Sequence, residues 1–218
     1  MQSPIDADAH ETVSTAFLDE LKSHIPAGRV LTGGPEYTRA VALFNAAVDV
    51  RPSVVVRCAS TADVQAGVRA SQPWSAALRA WRGHDFWGRA FRPGGLVLDL
   101  TEMRNVQVDV NHRYATVSGG ALLRRRLGRR AGGPDRRHRN GGLRRHGRPH
   151  ARRRVRPLLG QFGLAADNLL GAEIVLADGS RVNTDAEHHP DLFWALRGGG
   201  GNFGVVTSAR IRLHPYRP

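Results

Sequence analysis

Three short stretches hold the residues best suited to chemistry. The first is Gly83-His84-Asp85, inside RGHDFWGRAFRPGG. A loop glycine lets backbone N–H groups come close to a phosphate. An imidazole beside it can bind a ligand, exchange a proton or hold a group covalently, although the same triplet also reads as an exposed turn. The second stretch is the glycine run Gly198 to Gly201, inside LFWALRGGGGNFGVVT. Four glycines in a row cost conformational entropy, which suits either backbone packed on a ligand or a plain hairpin loop. The third is Asp167-Asn168 in LLGQFGLAADNLLGAEIVLADG, a pair that caps or turns a chain. Cys58 is the single cysteine, which excludes an internal disulfide and a cysteine-based zinc site. No strand-like run is followed by G-x-G-x-x-G and an acid about twenty residues on, so the sequence does not support a Rossmann dinucleotide site.

These residues need elements to position them. Val13, Phe17, Leu21 and Ile25 recur every fourth residue, predicting a helix over residues 12–25 that ends at Pro26 and Gly28. The β-branched run 52–58 predicts a buried strand. A helix follows it, with Ser60 as N-cap, Asp63 three residues on, and Val64 and Val68 on the apolar face. Residues 94–100, 106–110 and 114–120 read as strands, and 172–184 as a hairpin turning at Asp178-Gly179. Residues 190–196 read as a short helix with Pro190 near its start. The final run alternates Val206, Ser208, Arg210 and Arg212 against Thr207, Ala209, Ile211 and Leu213, the pattern of a strand with one wet face. The fold class that follows is α+β with mixed sheets and flanking helices.

The charge is unevenly spread. The chain of 218 residues carries a formal +13, which by itself suggests a nucleic-acid or membrane partner. Yet residues 124–156 hold fifteen arginines against Asp135 alone, while the rest of the chain holds 17 basic and 18 acidic residues. That window has no aromatic residue for base stacking and no apolar stripe to seat it as a helix. Nucleic-acid binding is therefore disfavoured. It survives only in the alternative that the chain is a non-catalytic, degraded fragment whose arginines hold polyanions. No basic-then-apolar leader is seen and no apolar run approaches about 18 residues, so a soluble cytoplasmic protein without a membrane partner is the expectation.

Four segments together resemble one family: YTRAVALFNAAVDVRPSVVVRCASTADV, GHDFWGRAFRPGGLVLDL, GLAADNLLGAEIVLADG and PDLFWALRGGGGNFGVVTSARIRLHP. They look like the FAD-binding domain of the vanillyl-alcohol oxidase and para-cresol methylhydroxylase flavoproteins, most closely the berberine-bridge-enzyme-like oxidases. The resemblance implies a two-subdomain FAD-binding domain over 36–218, preceded by an N-terminal helical segment over 1–35. It implies an FAD-linked oxidoreductase that acts on a small-molecule substrate. His84 matches the position that attaches FAD through its 8α-methyl carbon. Gly83, Asp85, Gly88, Asp167, Asn168, Gly200, Gly201, Asn202, Gly204, Val205 and Val206 match cofactor-binding segments. The family's substrate domain and catalytic base lie beyond Pro218, so no catalytic residue is named and the substrate domain counts as missing.

Two stretches depart from that family pattern. Trp81-Arg82 stand where it has two glycines, and Arg152-Arg153-Arg154 stand where it has three within a second phosphate loop, V-G-x-x-G-x-T-L-G-G-G-x-G. Read one base out of register, a glycine codon preceded by C prints as arginine, and leucine-threonine-leucine prints as proline-histidine-alanine. On that rule Arg144 to Arg156 decodes as V-G-M-A-G-L-T-L-G-G-G-Y-G and runs directly into Pro157. Residues 124–156 thus read as a frame-shifted segment.

Overall fold

The computed structural model describes residues 14–43, 45, 47–72, 78–81, 88–121 and 159–215. The apolar stripe near the N-terminus forms α1 (Thr15–His24), burying Phe17 and Leu21. Ile25 leaves the helix in an extended conformation yet stays buried, so the stripe outlasts the helix by one residue. A 3-10 turn (Ala27–Arg29) leads into the two-residue strand β1 (Val30–Leu31). The next element, α2 (Gly34–Val41), was not expected. Its Gly33-Gly34-Pro35 start reads as a turn, and only Tyr37 and Val41 are buried, too few to show a periodicity.

The expected strand at 52–58 is β2 (Val54–Arg57), shortened because Pro52 offers no N–H to a ladder. After it comes α3 (Thr61–Ser71), whose capping box is complete: the Ser60 hydroxyl accepts from the Asp63 N–H, and the Asp63 carboxylate accepts from the Ser60 N–H. Ser60→Ala is expected to lower stability by about 1 kcal/mol, read as a shift in urea midpoint. An unchanged midpoint would show that Asp63 alone holds the helix start. The first sheet is completed by β3 (Leu78–Trp81) and β4 (Leu96–Asp99), in the order β1-β2-β4-β3. Both β2 and β3 run parallel to β4, and β1 is antiparallel to β2, so this sheet is mixed. Every residue of β4 is buried, as a strand covered on both faces requires.

The second sheet contains β5 (Val106–Asp109), β6 (Tyr114–Ser118), β7 (Leu169–Val175), β8 (Arg181–Asp185) and β9 (Val205–Arg212). Its order is β5-β6-β9-β7-β8, and every pair is antiparallel. The expected turn at Asp178-Gly179 joins β7 to β8, with Gly179 at φ 78° and the Asp178 carboxylate accepting from the Ser180 N–H. The alternation expected for β9 also holds: Val205, Thr207 and Ala209 are buried, while Arg210 and Arg212 are exposed. The short helix α4 (Leu159–Phe162) precedes β7, and α5 (Pro190–Leu196) covers part of this sheet with Phe193 and Leu196.

One core joins the two sheets. Phe17, Leu21, Val56, Val64, Val68, Leu98, Leu100 and Met103 pack together with Val175 and Val205 of the second sheet. The N-terminal helix thus shares its core with both sheets.

Candidate functional site

The junction between the sheets is built from β4, β6 and β9. The Gly119 N–H donates to the Thr207 carbonyl at 2.7 Å, and the Gly120 N–H to the Met103 carbonyl at 3.0 Å. A Cβ on Gly119 would lie 2.8 Å from the Val206 carbonyl oxygen, and one on Gly120 would lie 1.5 Å from that of Leu100. Only glycine lets three backbones meet this closely. The sequence reading passed over these two residues, although a doubled glycine at a strand end was a visible signal.

At the start of β9, Gly204 has φ 141°, and a Cβ there would lie 2.3 Å from the Val175 carbonyl oxygen. Val205 is buried in the shared core and Val206 is half-buried. Just upstream, Gly200 has φ 93°, and a Cβ on Gly201 would meet no atom within 4 Å. Asn202 is exposed. The loop therefore offers bare backbone with open space beside it, followed by a tightly packed strand start. That arrangement suits a ligand lying against peptide groups.

Asp167 and Asn168 lie at the other end of β9. The register sets Leu169 beside Ile211 and Val175 beside Val205, so the Asn168 end is separated from Gly204 by the seven residues of β7. At ~3.3 Å per residue that is roughly 20 Å. The Asn168 amide donates to the Phe162 carbonyl at 2.7 Å and the Leu164 carbonyl at 2.9 Å, and its oxygen bonds the His214 ring. That ring stacks on Phe162 with centroids 4.7 Å apart. The Asp167 carboxylate accepts from the Leu164 N–H at 2.8 Å and faces Arg197 at 3.7 Å. Both side chains thus staple their own loop to the end of β9 and to α5. The structure separates this pair from the Gly204 segment; among the expected positions, Gly200, Gly201, Asn202, Gly204, Val205 and Val206 form one continuous segment.

Gly88 is placed by packing. It has φ 65°, and a Cβ there would fall 2.5 Å from a methyl of Val48. Gly83, His84 and Asp85 lie outside the described residues, as does the arginine-rich segment 124–156.

Elsewhere, the N–H groups of His188 and Glu187 and the His188 ring hold the Asp185 carboxyl down at about 2. Burial pushes the Cys58 thiol well up, as expected of an inert core residue. Among the described residues there is no cluster of potential metal ligands and no helix long and apolar enough to cross a membrane.

Comparison with known proteins bears directly on this geometry. Residues 52–126 match the family described as FAD binding domain. The chain is 34% identical over 175 residues to the (R)-6-hydroxynicotine oxidase of Paenarthrobacter nicotinovorans, a match covering 75% of this chain and 36% of that protein. It superposes on a xylooligosaccharide oxidase from Myceliophthora thermophila, solved with xylobiose, with a TM-score of 0.78 and 29% identity over 90% of this chain and 42% of that one. A berberine bridge enzyme variant shares the fold, with a TM-score of 0.71 at 18% identity over 92% of this chain and 44% of that one. The chain thus spans less than half the length of these relatives. The α+β fold of two joined sheets, the FAD-binding match and these neighbours agree: the chain carries an FAD-binding domain of the vanillyl-alcohol oxidase and para-cresol methylhydroxylase type.

Proposed function

We propose that the chain is the FAD-binding portion of an FAD-linked oxidoreductase that oxidises a small organic molecule. The observation that carries this reading is the bare backbone of Gly200-Gly201 leading into the closely packed Gly204-Val205-Val206. FAD, when bound, supplies a hydride acceptor at its flavin nitrogen N5 and can be reoxidised by dioxygen. The chain's own part is to place and shield that group. The open Gly200-Gly201 peptides would border it. Gly204 lets β9 begin directly against β7, so the adjoining peptides are held by a strand and do not hang in a free loop. The junction at Gly119-Gly120 fixes the distance between the two sheets that would flank it. Names of relatives support a small-molecule substrate of nicotine or oligosaccharide type.

The resemblance assigns covalent attachment to His84. In a chain with residues 144–156 restored to the decoded glycine motif, acid-precipitated protein should stay yellow, and His84→Ala should release all the colour to the supernatant. A colourless pellet from the restored parent would sink the assignment.

A further inference from the structure

We infer that Glu173 is a positioning residue: its carboxylate ties helix α3 to the first residues of β9 and so sets the backbone of Gly204 to Thr207. One carboxylate oxygen, Oε1, accepts the hydroxyl of Thr61, in the first turn of α3, at 2.7 Å and the hydroxyl of Thr207 at 2.6 Å. Its other oxygen faces Arg181 of β8 at 3.8 Å. Glu173 is only partly exposed and Thr207 is buried. A carboxylate so placed is held in one geometry by bonds of the stronger, charge-assisted kind.

Glu173 heads a longer seam. Gln65 and Arg69 donate to the Gly179 carbonyl at 2.8 and 3.1 Å, and Gln72 donates to the Ala177 carbonyl. Residues 61, 65, 69 and 72 fall on one stripe of α3 at helical spacing, beside the apolar stripe of Val64 and Val68 that enters the shared core. In sequence that polar stripe reads as a solvated face; in the fold it holds Glu173 of β7 and the Ala177–Gly179 turn of the β7–β8 hairpin. The Thr61 end reaches Thr207, whose carbonyl holds the Gly119 N–H. Glu173 therefore connects α3, β9 and the glycine junction through successive hydrogen bonds. Its importance for a cofactor rests on the function proposed above; its mechanical role does not.

The test uses amide hydrogen exchange on the full chain without added flavin, so a failure of FAD binding leaves the result readable. Thr61→Val keeps the shape and removes one hydroxyl; Thr61→Ser restores it. Loss of a hydroxyl bond to a carboxylate should speed local opening on the order of tenfold. Thr61→Val and Glu173→Ala should accelerate exchange at Gly119 and at residues 205–207 by that factor and leave residues 54–57 and 96–99 unchanged. Thr61→Ser should return near the parent rate, and Gln65→Ala should loosen only residues 177–180. Should Glu173→Ala fail to fold, the Thr61 pair decides. Parent-like exchange in Thr61→Val, equal effects of the valine and serine variants, or uniform acceleration across both sheets would each overturn the inference.

Discussion

Gly120→Ala should be among the most damaging single substitutions in the described part of this chain. The added methyl would stand 1.5 Å from the Leu100 carbonyl oxygen, a backbone atom that cannot swing aside as a side chain would. The strand end must retreat, and the Gly119–Thr207 and Gly120–Met103 hydrogen bonds go with it. Overpacking in a filled interior costs about 1–3 kcal/mol even where side chains can adjust. A backbone overlap with loss of two junction bonds belongs at the upper end or above, about 3 kcal/mol or more. A domain holds only about 5–15 kcal/mol. Gly28→Ala is the control, because a Cβ there meets nothing within 4 Å. Urea unfolding should show a large drop in midpoint for Gly120→Ala and a change within about 0.5 kcal/mol for the control. Equal midpoints would mean that the junction is looser than the close approach implies.

The second large effect concerns FAD itself. The chain as written should bind FAD far more weakly than one in which residues 144–156 read V-G-M-A-G-L-T-L-G-G-G-Y-G. The family's phosphate loop brings peptide N–H groups onto the pyrophosphate at residues without a Cβ, and here Arg152-Arg153-Arg154 stand in those positions. Holding a residue with a Cβ in a left-handed conformation costs roughly 1–2 kcal/mol, so three in succession forfeit several. At about 1.4 kcal/mol per tenfold, that is a loss of a hundredfold or more in affinity. Arginine charge attracts phosphate from a distance but does not replace the missing fit, and exposed charges are screened within ~10 Å at moderate salt. Titrating both chains with FAD in about 0.15 M salt, and following the quenching of flavin fluorescence, measures the difference. Equal, tight binding by both would show that the second phosphate loop is dispensable.

Local chemistry was legible before the fold. The Ser60-Asp63 capping box, the Asp178-Gly179 turn and the alternation of β9 each depend on residues close together in the chain. The four segments that carry the flavoprotein resemblance could likewise be read directly, because they are contiguous. So could the concentration of charge in 124–156, fifteen arginines against Asp135 alone.

What only the tertiary structure decided is which residues meet. Asp167 and Asn168 stood beside the glycine-rich segment as one candidate set, but the antiparallel register of β7 and β9 puts them at opposite ends of a strand pair, and their polar atoms are engaged by their own loop, by His214 and by Arg197. Thr61, Gln65, Arg69 and Gln72 carried no signal of their partners, since a polar stripe on a helix is written alike whether it meets only water or also bonds a neighbouring hairpin. The doubled glycine at 119 and 120 was passed over, because nothing local says that Leu100 and Val206 lie against it. Sequence periodicity reports the environment of each element averaged along its own axis. The pairing of β9 with both β6 and β7 is set by contacts between residues 90–98 and 30–42 positions apart, and no local pattern encodes which partner lies opposite.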